Sequence, residues 1–174
     1  MVDVKAILFD VDGVLTDGSI IVDGNGVETK SFNVRDGQLI QFMKNEGYIF
    51  GAISGRPSKA TEYRLHELHV DFIRLNVSDK LSCFKEFCTL YNISPDKICY
   101  IGDDVIDVTV LKSCGFPVVP ADACVHAKSI AKIITGACGG KGVLREVIDQ
   151  IITANKDLNN KFFEIYNLHK SSGL

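Results

Sequence analysis

The chain has 174 residues, enough for one domain with a buried core, and its 46% hydrophobic, 24% charged composition excludes a disordered or fibrous protein. Lys and Arg number 19 against 22 Asp and Glu, a formal net charge of −3 with no basic run, so nothing here suits nucleic acid. No stretch is apolar for long enough to span a bilayer, and the six cysteines form no CxxC pair, which predicts a soluble, cytoplasmic protein with reduced thiols and no zinc site.

Residues 4–9 form a short, near-continuous apolar run broken by Asp10-Val11-Asp12-Gly13, the pattern of a strand buried on both faces of a parallel sheet. Two β-prone runs, 19–22 and 27–32, flank Asp23-Gly24-Asn25-Gly26 and predict a hairpin. Over 36–46, Leu39, Ile40, Phe42 and Met43 recur at helical spacing, and Gly47 ends the helix. Strand 48–53, helix 59–68, strand 70–73, helix 80–91, strand 98–101 and helix 105–113 follow in alternation. Residues 116–119, with Pro117, read as an edge-type strand; a helix over 123–131, a strand over 132–134 and a helix over 142–154 complete the series. This order predicts an α/β fold with a Rossmann-like, doubly wound parallel sheet.

The whole of 1–154 reads as one domain, and 155–174 as a C-terminal helix or tail. There Leu158, Phe162, Ile165 and Leu168 recur at helix-like spacing on a polar background. A helix packed on its own domain accounts for that spacing, and so does a tail docked on a neighbouring subunit.

In an open parallel sheet ligands bind beyond the carboxyl ends of the strands, so the residues just after each strand carry the chemistry. Asp10 and Asp12 follow the first strand, and two residues apart on an extended chain their carboxylates share a side. Two close anions need a cation, which with oxygen ligands points to Mg²⁺. Ser54-Gly55-Arg56 follows the next central strand and offers hydroxyl and N–H donors to a phosphate oxygen. Lys80 opens a helix, where free N–H groups and a point charge favour an anion. Gly102-Asp103-Asp104-Val105-Ile106-Asp107 brings three more carboxylates to a strand end. Each piece alone is a common loop; their combination in this order is not.

On these residues, Asp10-Val11-Asp12-Gly13-Val14-Leu15-Thr16-Asp17-Gly18, Ser54, Lys80 and Gly102 to Asp107, the chain resembles the haloacid dehalogenase-like superfamily of phosphatases. The resemblance implies an Mg²⁺-dependent phosphomonoesterase in which Asp10 is the nucleophile and Asp12 the general acid/base. It implies that Ser54 and Lys80 hold the phosphoryl group. Asp10, the carbonyl of Asp12 and Asp103 would bind the metal, with Asp104 and Asp107 in support. Neither interval between motifs has room for a separate cap domain; the first holds only the hairpin flap over 19–32. With Ser31-Phe32-Asn33-Val34-Arg35-Asp36-Gly37 and Gly139-Gly140-Lys141-Gly142, this is similar to the family of 3-deoxy-D-manno-octulosonate 8-phosphate phosphatases. That likeness implies a sugar-acid phosphate as substrate, a homotetramer joined through the hairpin, and Gly55, Arg56 and Arg35 as substrate contacts, since guanidinium pairs with carboxylate in a two-pronged way.

Three other readings compete. A nine-carbon 2-keto-3-deoxy-nononate 9-phosphate phosphatase would share the mechanism, but Arg56 stands where that group is expected to carry an acidic residue. A non-catalytic assembly domain has no use for Asp10, Asp12, Lys80 and Asp103 together. A phospho-accepting receiver domain places its acceptor after a middle strand, not the first.

Overall fold

The computed structural model describes residues 3–167. Its strands in chain order are β1 (Ala6–Phe9), β2 (Ile21–Val22), β3 (Glu28–Thr29), β4 (Ile49–Ile53), β5 (Phe72–Arg74), β6 (Ile98–Ile101), β7 (Phe116–Val119) and β8 (Ile133–Ile134). Side chains alternate across a strand, so Ala6 and Leu8 enter one core while Ile7 and Phe9 enter another on the opposite face. A strand that must be apolar on both sides explains the unbroken run at 4–9. β1 pairs in parallel with β4 and with β6, Ala6 standing opposite both Ile49 and Ile98. The full sheet is six-stranded, in the order β5-β4-β1-β6-β7-β8, and each of its pairings is parallel. β2 and β3 pair antiparallel as the hairpin.

The helices are α1 (Val34–Gly37), α2 (Ile40–Asn45), α3 (Lys59–Glu67), α4 (Lys80–Tyr91), α5 (Val108–Leu111), α6 (Val125–Lys128), α7 (Val143–Ala154) and α8 (Lys156–Ile165). Ile40, Met43, Leu144, Val147, Ile148 and Ile151 of α2 and α7 cover one face of the sheet. Phe84, Phe87, Val110 and Leu111 of α4 and α5 cover the other. From β1 the chain winds outward through β4 and β5, then returns beside β1 and winds the other way through β6, β7 and β8. The reversal leaves a crevice beyond the carboxyl ends of β1 and β6, where such folds bind ligands.

Several elements differ from the sequence expectation. β7 is not an edge strand: it lies between β6 and β8. Pro117 suggests an edge because it has no N–H to give. Its carbonyl accepts from Lys132 N on the β8 side. A strand residue directs its N–H and C=O to the same side, so the missing donor falls before β8 begins.

The helix expected over 36–46 divides into α1 and α2. Asp36 Oδ1 accepts from Arg145 N at 3.0 Å, at the start of α7. Gly37 lies so close to α3 that a Cβ there would sit 2.4 Å from Leu68 Cδ2. Both contacts draw the chain inward before α2 begins. The helix expected over 105–113 is likewise a 3₁₀ turn, Val105–Asp107, followed by α5. α8 turns back onto the core: Leu158 is buried, and Phe162 meets Phe42 edge-on with ring centroids 5.4 Å apart. Leu168, the last apolar position of that pattern, lies outside the described residues. No helix among the described residues is long and apolar enough to cross a membrane.

Candidate active site

β1 ends in Asp10 and β6 in Gly102-Asp103, so the switch point sets their carboxylates side by side. Asp10, Asp103 and Asp107 each place a carboxylate oxygen within 4.8 Å of the other two. Lys80, the first residue of α4, is almost wholly buried and reaches in from the next crossover, 2.8 Å from Asp10 Oδ2 and 2.8 Å from Asp107 Oδ1. A buried ammonium is costly unless paired; here two carboxylates hold it. Burial opposes its charge, but Asp10 and Asp107 outweigh that and push its pKa above the usual lysine value.

The three carboxylates are not equivalent. Asp107 is fully buried and has both oxygens engaged. Oδ1 accepts from Lys80 and, at 2.6 Å, from the Tyr100 hydroxyl; Oδ2 accepts from Asp103 N at 3.1 Å and from Asp104 N. It is a bracket for Lys80 and for the turn that carries Asp103. Asp10 Oδ1 accepts from Val11 N at 2.7 Å. The Asp103 carboxylate has no hydrogen-bond or ion-pair partner among the described residues. It lies against Gly13, where a Cβ would come within 2.1 Å of Asp103 Oδ2, and the φ of +86° at Gly13 also suits glycine.

Burial, then the negative charge of Asp107, raises Asp10 from 3.8 to about 7 despite Lys80. Burial, then Asp10 and Asp107, raises Asp103 from 3.8 to about 7 as well. Three carboxylates against one ammonium leave an uncompensated negative site built of oxygen atoms, with one carboxylate lacking a partner. A hard divalent cation fits that donor set, and Asp10 and Asp103 are the side chains with capacity left to hold it.

Ser54 follows β4 at the same end of the sheet and is 1% exposed. Its Oγ accepts from Arg56 N at 3.3 Å. Gly55 packs between Val77 and Ile106: a Cβ there would meet Val77 O at 3.6 Å and Ile106 Cδ1 at 4.0 Å. The Ser54 loop therefore borders the Asp103–Asp107 turn.

The side chains of three other sequence-derived candidates stay outside this carboxylate cluster. Asp12 does not join the Asp10 cluster as its spacing suggested; the chain turns at Val11, whose carbonyl accepts from Val14, Leu15 and Thr16 N, so the alternation of an extended strand no longer applies. The Asp104 side chain points to solvent and accepts from Val105 N at 2.7 Å, a helix cap whose backbone N–H alone reaches the cluster, at Asp107 Oδ2. Arg35 is exposed on α1, and its side chain meets no described partner.

Asp12 instead faces the hairpin. Lys30 Nζ, just past β3, donates to Asp12 Oδ1 at 2.5 Å and to Oδ2 at 2.8 Å, and Thr16 Oγ1 donates to Oδ1 at 3.2 Å. Glu28 Oε1 is 3.6 Å from the same ammonium, and Glu28 Oε2 accepts from Arg56 Nη2 at 2.7 Å. Sequence reasoning missed Lys30, Glu28 and Tyr100. The only trace of the first two is alternation: on a two-residue period Glu28 and Lys30 share a face of the hairpin.

Comparisons with known proteins identify the family. A family profile described as haloacid dehalogenase-like hydrolase matches residues 69–147. The 3-deoxy-D-manno-octulosonate 8-phosphate phosphatase of Escherichia coli K12 is 36% identical over 157 residues, covering 90% of this chain and 84% of that protein. The crystal structure of the enzyme of that name from Moraxella catarrhalis, in complex with a magnesium ion, a phosphate ion and a KDO molecule, superposes with a TM-score of 0.89. It is 32% identical, with 94% of each chain covered. The cobalt-bound deoxy-D-mannose-octulosonate 8-phosphate phosphatase of Haemophilus influenzae gives 0.83 at 33% identity, covering 87% of this chain and 89% of that one.

Proposed function

Because the chain belongs to the haloacid dehalogenase-like hydrolases, we propose that the Asp10 crevice hydrolyses 3-deoxy-D-manno-octulosonate 8-phosphate. The enzyme is a magnesium-dependent phosphatase. The observation that carries the reading is Lys80, buried and clamped between Asp10 and Asp107 beside the Asp103 carboxylate, which has no partner among the described residues. It supports a reading in which Asp10 is the nucleophile, Lys80 the phosphate-binding cation, and Asp10 with Asp103 the metal-binding pair.

Asp10 attacks phosphorus, and the bond from phosphorus to the ester oxygen breaks with its electrons passing to that oxygen. Lys80 and the Ser54 hydroxyl hold the phosphoryl oxygens in line. Asp12 gives its proton to the leaving oxygen, so an alcohol departs and Asp10 carries the phosphoryl group. Asp12 then takes a proton from water, whose oxygen attacks phosphorus and returns the bonding electrons to Asp10. Asp10, Asp103 and the carbonyl of Asp12 would hold Mg²⁺, which when bound would offset the negative charge of the phosphate.

Arg56 suits the substrate carboxylate. In this structure it pairs with Glu28, but exposed pairs of this kind contribute only about 0–1 kcal/mol, so a sugar acid can displace Glu28. We assign assembly to the hairpin, as a homotetramer: Ile20, Ile21, Val22 and Val27 are each more than half exposed on that one small element. The six free thiols suit a reducing, cytoplasmic setting.

Phosphate release from a panel with Mg²⁺ tests this, with Asp10→Asn alongside. Release from the eight-carbon acid, abolished by Asp10→Asn and by chelator, is the expected result. Release from the nine-carbon acid alone keeps the mechanism and changes the substrate. No release from a folded, metal-loaded protein overturns the reading.

A further inference from the structure

The hairpin brings one ammonium onto the loop that follows β1. Lys30 has a side chain 3% exposed, and both oxygens of Asp12 accept from its ammonium. A lysine buried this deeply is stable only while its charge is met. Asp12 belongs to the loop after β1, whereas Lys30 belongs to the hairpin, so the pair ties the flap to the catalytic loop across 18 residues of sequence.

From this geometry we propose that Lys30 is a positioning residue for proton transfer: it fixes the plane and direction of the Asp12 carboxylate so that it meets the leaving oxygen, and later the attacking water. The proposal rests on the assignment of Asp12 as acid and base. Lys30 moves no proton itself. In the first step Asp12, protonated on one oxygen and held by Lys30 through the other, gives that proton to the leaving oxygen as the P–O bond breaks; in the second, water returns a proton to Asp12 as the bond from Asp10 to phosphorus breaks. A carboxylate held only by the Thr16 hydroxyl, 3.2 Å away, is free to rotate about its side-chain torsions. Thr16 alone cannot set its direction, whereas two contacts from one ammonium can.

The role predicts which esters suffer when Lys30 is lost. A sugar or other alkyl phosphate expels a strongly basic alkoxide that must be protonated as it leaves. p-Nitrophenyl phosphate expels a weakly basic phenolate that need not be. Since kcat/KM reports the steps up to departure of the leaving group, Lys30→Met lowers kcat/KM for the alkyl ester about 10- to 100-fold, the range for a displaced catalytic group. The aryl ester keeps most of its kcat/KM, yet its kcat falls, because water still needs Asp12 as base. In the Asp12→Asn background, Lys30→Met has no further effect on the alkyl ester.

Equal loss of kcat/KM on both esters overturns the proposal and makes Lys30 a binding or folding residue; unchanged kinetics overturns it too. Thermal melts report folding, and if Lys30→Met does not fold, Lys30→Gln is read in its place. The comparison uses whichever alkyl phosphate the wild type turns over, so a wrong substrate assignment leaves it intact. A wild type inert toward every ester overturns this proposal together with the proposed function.

Discussion

The excess of carboxylates in the crevice makes metal binding and protonation rivals, and the rivalry is measurable as stability. Asp10 and Asp103 each titrate near 7 in the folded protein against 3.8 as the ordinary value. Both folded values are raised, so the folded state binds more protons than the unfolded chain, and metal-free stability is lost as pH climbs through them. One such group contributes about 2 kcal/mol more at pH 5.5 than at pH 8. The two carboxylates repel each other and share the effect, so one group's worth is the working figure. For a chain of this length that is a fall in Tm of about 4–8 °C. Mg²⁺ needs the ionised carboxylates, so its stabilisation is small at the lower pH and large at the higher one. Asp36, raised by burial to about 6, adds about 1 kcal/mol of the same sign, but it lies outside the cluster and cancels between metal-loaded and chelated samples. The assay is a thermal melt at the two pH values with Mg²⁺ or chelator. A magnesium increment in Tm that is equal at both, or larger at pH 5.5, refutes the charge argument.

Two substitutions test the scaffold around the site. Gly13→Ala drives a Cβ to 2.1 Å from Asp103 Oδ2 and strains a backbone at φ +86°. It is expected to cost about 1–2 kcal/mol in stability and to weaken Mg²⁺ about 10- to 100-fold; a thermal melt reads the first and a metal titration followed by phosphate release the second, and unchanged affinity counts against Asp103 as a ligand. Ile21→Lys changes a side chain that is 54% exposed, so the melt of the subunit moves by only about 0.5 kcal/mol. Light scattering is expected to show a smaller species than the wild type, and an unchanged mass removes the hairpin from the interface.

The doubly wound parallel sheet and the place of the crevice were legible in the sequence because they depend on local signals. Apolar runs of four to six residues ended by Asp or Gly mark doubly buried strands, and the residues just past each strand must stand at the carboxyl edge. α4 and β6 begin and end where periodicity puts them, at Lys80–Tyr91 and Ile98–Ile101. Where two distant segments meet, the local signal failed. α1 and α2 are separate because Asp36 answers the start of α7, 109 residues away. Pro117 sits inside the sheet because β8 is too short to need its N–H. No periodicity in 27–32 reveals that Lys30 meets Asp12, since the hairpin's angle to the catalytic loop decides it.

The same limit governs the acidic run from Asp103 to Asp107, where three carboxylates looked interchangeable and are not. Asp104 faces water and caps a turn. Asp107 is enclosed with four donors around it, two of them the backbone N–H groups of its own turn, so its negative charge is committed before any ligand arrives. Lys80, held by Asp107, is thereby fixed in direction and still has an ammonium hydrogen for Asp10. Among the described residues, nothing stands opposite the Asp103 carboxylate. A metal drawn to this crevice therefore meets one free carboxylate and one shared with lysine, and a phosphate arriving afterwards finds the lysine already aimed. The order of these charges, not their number, is what suits the crevice to the phosphoryl transfer proposed for Asp10.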